Sequence, residues 1–173
     1  LIQACRWLDQ EENRAETCQL LSQGRYVNAP HDVLEKSLNG TLKTATQDSS
    51  NAIPDFNVFH RYAANFPWRS HAIWFITQMH RWGQTDCSFS ARDIAQSVYQ
   101  PDIYRQAAQS LGLAAPQQDF KTEGSHAHRW TIETGQGELT MGADHFMDGR
   151  LFDPEQPEQY IDGFELKSDS STK

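Results

Sequence analysis

Residues 66–71, Phe66-Pro67-Trp68-Arg69-Ser70-His71, set an aromatic ring, a guanidinium and a hydroxyl directly ahead of an apolar run that reads as a helix. The first N–H groups of a helix lack intrahelical acceptors, and together with the helix dipole they attract anions. In that setting Arg69 can give two parallel hydrogen bonds to a small planar oxyanion, and Trp68 can stack on its flat face. Ser70 and His71 add further donors. On composition alone the plainer account comes first: Arg69 pairs with a surface carboxylate and Trp68 packs in the core.

Other constellations carry less chemistry. His126 and His128 would share a face of a strand, but zinc takes four ligands, and neither H-E-x-x-H nor C-x-x-C is present. A structural or exposed His pair is expected, with no metal and no cofactor. There is no G-x-S-x-G, P-loop or G-x-G-x-x-G motif. Asp148-Gly149 and Asp153-Pro154 fit turns, and no two carboxylates stand out as an acid/base couple, so the chain is expected not to be an enzyme. Cys5, Cys18 and Cys87 are expected to be reduced and mostly buried.

The elements that must position these residues follow from caps and periodicity. The chain opens inside an amphipathic helix, without Met or a leader pattern, and is expected to be part of a longer protein. Asp9, with Glu12 in capping-box position, predicts a second helix carrying Ala15, Cys18 and Leu21 and stopped by Gly24. Asp9, Glu11, Glu12 and Glu16 read as its solvated acidic face and first turn. A short helix follows Pro30 and ends at Asn39-Gly40, residues 41–54 read as an exposed loop, and residues 57–62 alternate as a strand does. Ser70 is the expected N-cap of a largely buried helix that Gly83 stops. Ser90 with Asp93 starts a helix whose core stripe includes Ile94 and Val98, and Pro101 starts the next, which Gly112 ends. Residues 130–132 and 139–141 read as short strands, and a last helix follows Pro157. Helices outnumber strands, so the expected class is α/β.

The chain has 173 residues, 38% hydrophobic and 22% charged, with 15 Lys+Arg against 23 Asp+Glu, a net charge of −8. A chain of this length can bury roughly 70% of its unfolded surface. A mean hydropathy of −0.71 and the lack of any apolar run near the ~20 residues of a bilayer span argue against an integral membrane protein. Without a block of Lys or Arg, nucleic acid is an unsuitable partner. A small molecule or another protein fits better.

Residues 66–75, with Thr77-Gln78-Met79 and Arg81-Trp82-Gly83, resemble the nitrate- and bicarbonate-binding proteins of bacterial ABC transporters and the related cytoplasmic nitrate sensor. The likeness extends through residues 4–9, 13–16 and 26–30 and through residues 99–105, 112–113 and 148–154. It implies a type II periplasmic-binding-protein fold, in which two α/β lobes close on an anion and this chain is roughly the C-terminal half. Residues 1–55 would belong to the second lobe, and residues 56–173 would return to the first lobe and add a C-terminal extension. Gly40 at the end of the short helix and the Trp68-Arg69-Ser70 corner, with His71, match places where the family contributes to the cleft. The implied function is binding of nitrate or nitrite for an ABC importer in nitrogen assimilation, with the transporter's membrane subunits as partners. The location would then be periplasmic or at the inner membrane. The alternatives are a cytoplasmic nitrate/nitrite sensor that controls a regulatory protein, and a homologue for bicarbonate or another small oxyanion. Arg69 favours a bare anion, which needs a positive partner. Apolar surface left uncovered in such a piece would favour a homodimer.

Overall fold

The structure, a computed structural model, describes residues 1–42, 51–85 and 90–164; Cys87 lies outside them. Two compact units follow one another, Leu1–Asn65 and Phe66–Lys173.

The first unit holds α1 (Ile2–Leu8), a 3-10 turn (Glu11–Asn13), α2 (Arg14–Leu21) and α3 (His31–Leu38). Asp9 does not cap α2; it is the C-cap of α1. Its side chain is 6% exposed and accepts the N–H groups of Phe59, His60 and Arg61 at 2.8, 2.8 and 2.6 Å. Asp9 therefore leaves the solvated acidic face to Glu11, Glu12 and Glu16. The same bonds explain why residues 57–62 are not a strand. The N–H groups that a ladder would need point at one carboxylate, and the chain bends into a 3-10 turn (Arg61–Ala63) with Tyr62 and Ala63 at φ 60 and 55°.

On α2, Thr17 and Cys18 are buried while Ala15 is exposed, and Ser22 rather than Gly24 is the C-cap. α3 buries Leu34 and ends at Asn39. Gly40 follows at φ 64°, where a Cβ would lie 2.6 Å from the Phe56 Cβ, so only glycine fits this turn. Within the segment read as a loop, β1 (Thr41–Leu42) pairs antiparallel with β2 (Asn51–Ala52).

The second unit is built on α4 (Arg69–Arg81), α5 (Ala91–Val98), α6 (Pro101–Ser110), β3 (Trp130–Thr134), β4 (Gly137–Met141) and α7 (Pro157–Ile161). Ser70 is not the N-cap of α4. Trp68 holds that position with extended backbone, and Ser70 is already inside the helix. Nor is α4 largely buried: its inner face is Ser70, Ala72, Ile73, Thr77 and Gln78, while Phe75, Met79 and Trp82 are 54, 42 and 50% exposed.

The Ser90 Oγ caps α5 by accepting the Asp93 N–H at 3.3 Å. Ala95 is wholly buried, whereas Val98, at the end of the helix, is 65% exposed and not core. β3 and β4 form one antiparallel hairpin with Trp130 opposite Met141, turning at Gly135-Gln136. The core of this unit joins Ala72 and Ile73 of α4, Ala95 of α5, Phe152 and Tyr160. Helices thus combine with two antiparallel hairpins among the described residues, the mixed α/β content expected, and no described helix is long and apolar enough to cross a membrane.

Candidate functional site

The start of α4 brings Trp68, Arg69, Ser70 and His71 together because helical geometry fans consecutive side chains around one end. Trp68 is 1% exposed, with its ring edge-on to Phe66 at 4.8 Å. It is therefore a wall of the core, with its faces turned from solvent. Arg69 donates through Nε to the Tyr99 carbonyl at 3.3 Å and pairs through Nη1 with the Asp119 carboxylate. Its backbone N–H donates to the Asp119 carbonyl at 2.8 Å. Asp119 also receives Arg105 Nη2 on its other oxygen at 2.6 Å.

Ser70 is fully buried and donates to Glu123 Oε1 at 2.8 Å. His71 Nε2 lies 3.3 Å from the same oxygen, and Lys121 Nζ pairs with the other. Lys121 also reaches Asp144 at 3.3 Å, which accepts the His126 N–H at 2.8 Å. Burial alone would push the Glu123 carboxyl up, but hydrogen bonding and charge from His71 and Lys121 outweigh it and hold the carboxyl below its ordinary value. A two-way backbone bridge to Phe152, 2.9 Å in each direction, fixes Glu123 beneath the helix start.

The corner thus places two carboxylates against the cationic and hydroxyl groups proposed for an anion. Asp119 and Glu123 are some 50 residues from their partners in sequence (|i−j| of 50 and 53). The spacing Asp119, Lys121, Glu123 is a signal that points to them: alternate residues of an extended segment share a face. Gly40 belongs to the other unit, beside a cavity of about 650 Å³ lined by Arg14, Leu38, Asn39, Asp55, Phe56 and Arg61 among others. His126 stacks on Trp130 with ring centres 3.8 Å apart, and no cluster of metal-ligating side chains occurs among the described residues.

No family model matches the chain. It is 30% identical over 172 residues to the nitrate/nitrite binding protein NrtA of Synechocystis sp. (strain ATCC 27184 / PCC 6803 / Kazusa), a match covering 97% of this chain and 34% of that protein. It is 28% identical over 175 residues to the bicarbonate-binding protein CmpA of Synechococcus elongatus, covering 96% and 35%. It is also 26% identical over 169 residues to the nitrate import ATP-binding protein NrtC of the same Synechocystis strain, covering 98% and 22%. The crystal structure of the periplasmic nitrate-binding protein NrtA from Synechocystis PCC 6803 superposes with a TM-score of 0.72 at 25% identity, covering 95% of this chain and 39% of that one. The chain spans about a third of the length of the binding proteins it matches.

Proposed function

Because the chain belongs to the nitrate/bicarbonate-binding protein family of bacterial ABC transporters, we propose that it is part of a nonenzymatic solute-binding protein for nitrate or nitrite. One observation carries this reading. The relationship to a nitrate/nitrite binding protein runs through 97% of the chain. Residues 1–55 supply part of the second lobe, and residues 56–173 return to the first. The bound oxyanion meets Arg69 at the start of α4, within the corner formed by Trp68, Ser70 and His71. Trp68 acts from behind, as the rigid wall that fixes Arg69.

The protein works in the periplasm or at the inner membrane and hands its ligand to the membrane subunits of an importer. Bicarbonate is the second reading, favoured by the relative named for it.

Titration calorimetry of the full-length protein tests the assignment. Arg69→Ala is expected to weaken nitrate binding by about tenfold or more, the scale of a lost charge-assisted hydrogen bond. Unchanged nitrate affinity removes Arg69 from the site. Bicarbonate binding without nitrate binding moves the protein to the second reading.

A further inference from the structure

Asp119 is clasped by two arginines from different helices. Arg69, the first residue of α4, meets one carboxylate oxygen, and Arg105 of α6 meets the other at 2.6 Å. Each guanidinium has an anchor besides Asp119. Arg69 Nε is anchored to the Tyr99 carbonyl at 3.3 Å. Arg105 donates to the carbonyls of Pro116 and Gln117 at 2.8 and 2.9 Å and pairs with Asp102 at 2.8 Å. It also lies over the Phe66 ring, 5.4 Å from its centre. Preorganised donors of this kind stay aimed when their acceptor leaves, because other bonds fix them.

What they hold is a planar carboxylate, whose two oxygens on a trigonal centre are matched by the two of formate and by any two of the three on nitrate or bicarbonate. The side chains of Arg69, Asp119 and Arg105 are 18, 21 and 19% exposed, so the pair is sheltered yet within reach of solutes.

We infer that Asp119 is a resident anion in a two-arginine oxyanion site formed by Arg69 and Arg105, which a free planar oxyanion can occupy when the Asp119 carboxylate is absent or displaced. This rests on the reading of Arg69 as an anion-binding residue and adds Arg105 as its partner and Asp119 as the gate. A free anion must compete with a tethered one, whose effective concentration is high. Asp119 thereby sets a threshold that weakly held anions do not cross.

Asp119→Gly in the 173-residue chain tests this by chemical rescue. The variant should melt below the wild type whether Asp119 is a gate or a simple brace, so the melting point alone decides nothing. The deciding readout is selectivity. Formate or nitrate should raise the melting point of D119G by about 4 °C when present at ten times its dissociation constant, while chloride at equal ionic strength should not. The wild type should not discriminate between the salts, and D119G/R105A should lose the rescue. Equal effects of formate, nitrate and chloride on D119G overturn the proposal.

If D119G does not fold, Asp119→Ala likewise vacates the site while sparing the backbone the added freedom of glycine. Nitrate should then perturb the Arg69 and Arg105 side-chain nitrogen resonances of D119A saturably, and no perturbation overturns the site. The rescue concerns this corner alone. A full-length protein that binds no nitrate would sink the functional proposal and leave the rescue to be judged separately.

Discussion

The Asp9 carboxylate gathers three consecutive backbone N–H groups, those of Phe59, His60 and Arg61, and the Arg61 guanidinium stands 3.8 Å away. Burial works against the charged form, but the three hydrogen bonds and Arg61 together hold its pKa below the ordinary 3.8. A carboxyl whose folded pKa is depressed stabilises the fold fully above its unfolded pKa and loses that contribution as pH falls through the folded value. The Asp9 clamp should therefore persist at neutral pH and fail only below about pH 4. Asp9→Ala orphans three donors and should cost about 2–3 kcal/mol by urea denaturation at pH 7. The difference from wild type should shrink as the pH is lowered towards 3. A D9A variant as stable as wild type at pH 7 would mean that water replaces the carboxylate without loss. Such a clamp is hard to read from sequence, because an Asp before a helix scores as a cap whatever its side chain finds 50 residues on.

Helices with a backbone-level signal were legible as elements: α3 after Pro30, α5 with its Ser90 cap, α6 started by Pro101 and α7 by Pro157. Residues 130–132 and 139–141 were legible as short strands, but not that they pair with each other as the β3–β4 hairpin around Gly135-Gln136. What failed was the orientation of faces. α4 has apolar residues almost all round, so periodicity could not say which side packs; Phe75, Met79 and Trp82, at i, i+4 and i+7, form one exposed row instead. The composition of the candidate corner was likewise legible, but its acceptors Asp119 and Glu123 were not paired with it, since the alternation of Asp119, Lys121 and Glu123 marks a shared face without saying which residues some 50 positions away it meets. The exposed row has a measurable consequence. Substituting Phe75, Met79 and Trp82 together by Ser, Lys and Gln should change the stability of the 173-residue chain by no more than about 0.5 kcal/mol per site. Any concentration-dependent association seen in sedimentation velocity should fall with the substitution, because large exposed apolar surface is what drives it. A loss of several kcal/mol would show that the row is packed in the folded state.

At the scale of the molecule, a net charge of −8 does not by itself decide anion binding, because long-range field and local coordination are separate quantities. The summed charge slows the approach of an anion, whereas the affinity depends on donors within hydrogen-bond reach. In this chain those donors are engaged: Arg69 by Asp119 and Tyr99, Ser70 and His71 by Glu123. A free anion therefore gains little here unless further contacts offset the displacement of a tethered carboxylate. A two-lobe binding protein can provide them by closing a second wall over the ligand, and this chain spans only 34% of the nitrate/nitrite binding protein it resembles. The 173-residue chain alone should accordingly bind nitrate weakly, with a dissociation constant in the millimolar range or above, equivalent to no more than about 4 kcal/mol. Calorimetry at low chloride, where screening and competition are least, is the sensitive measurement. Saturable micromolar binding by the chain by itself would mean that the corner is already a complete site, and that Asp119 yields to a free anion without help from a second wall.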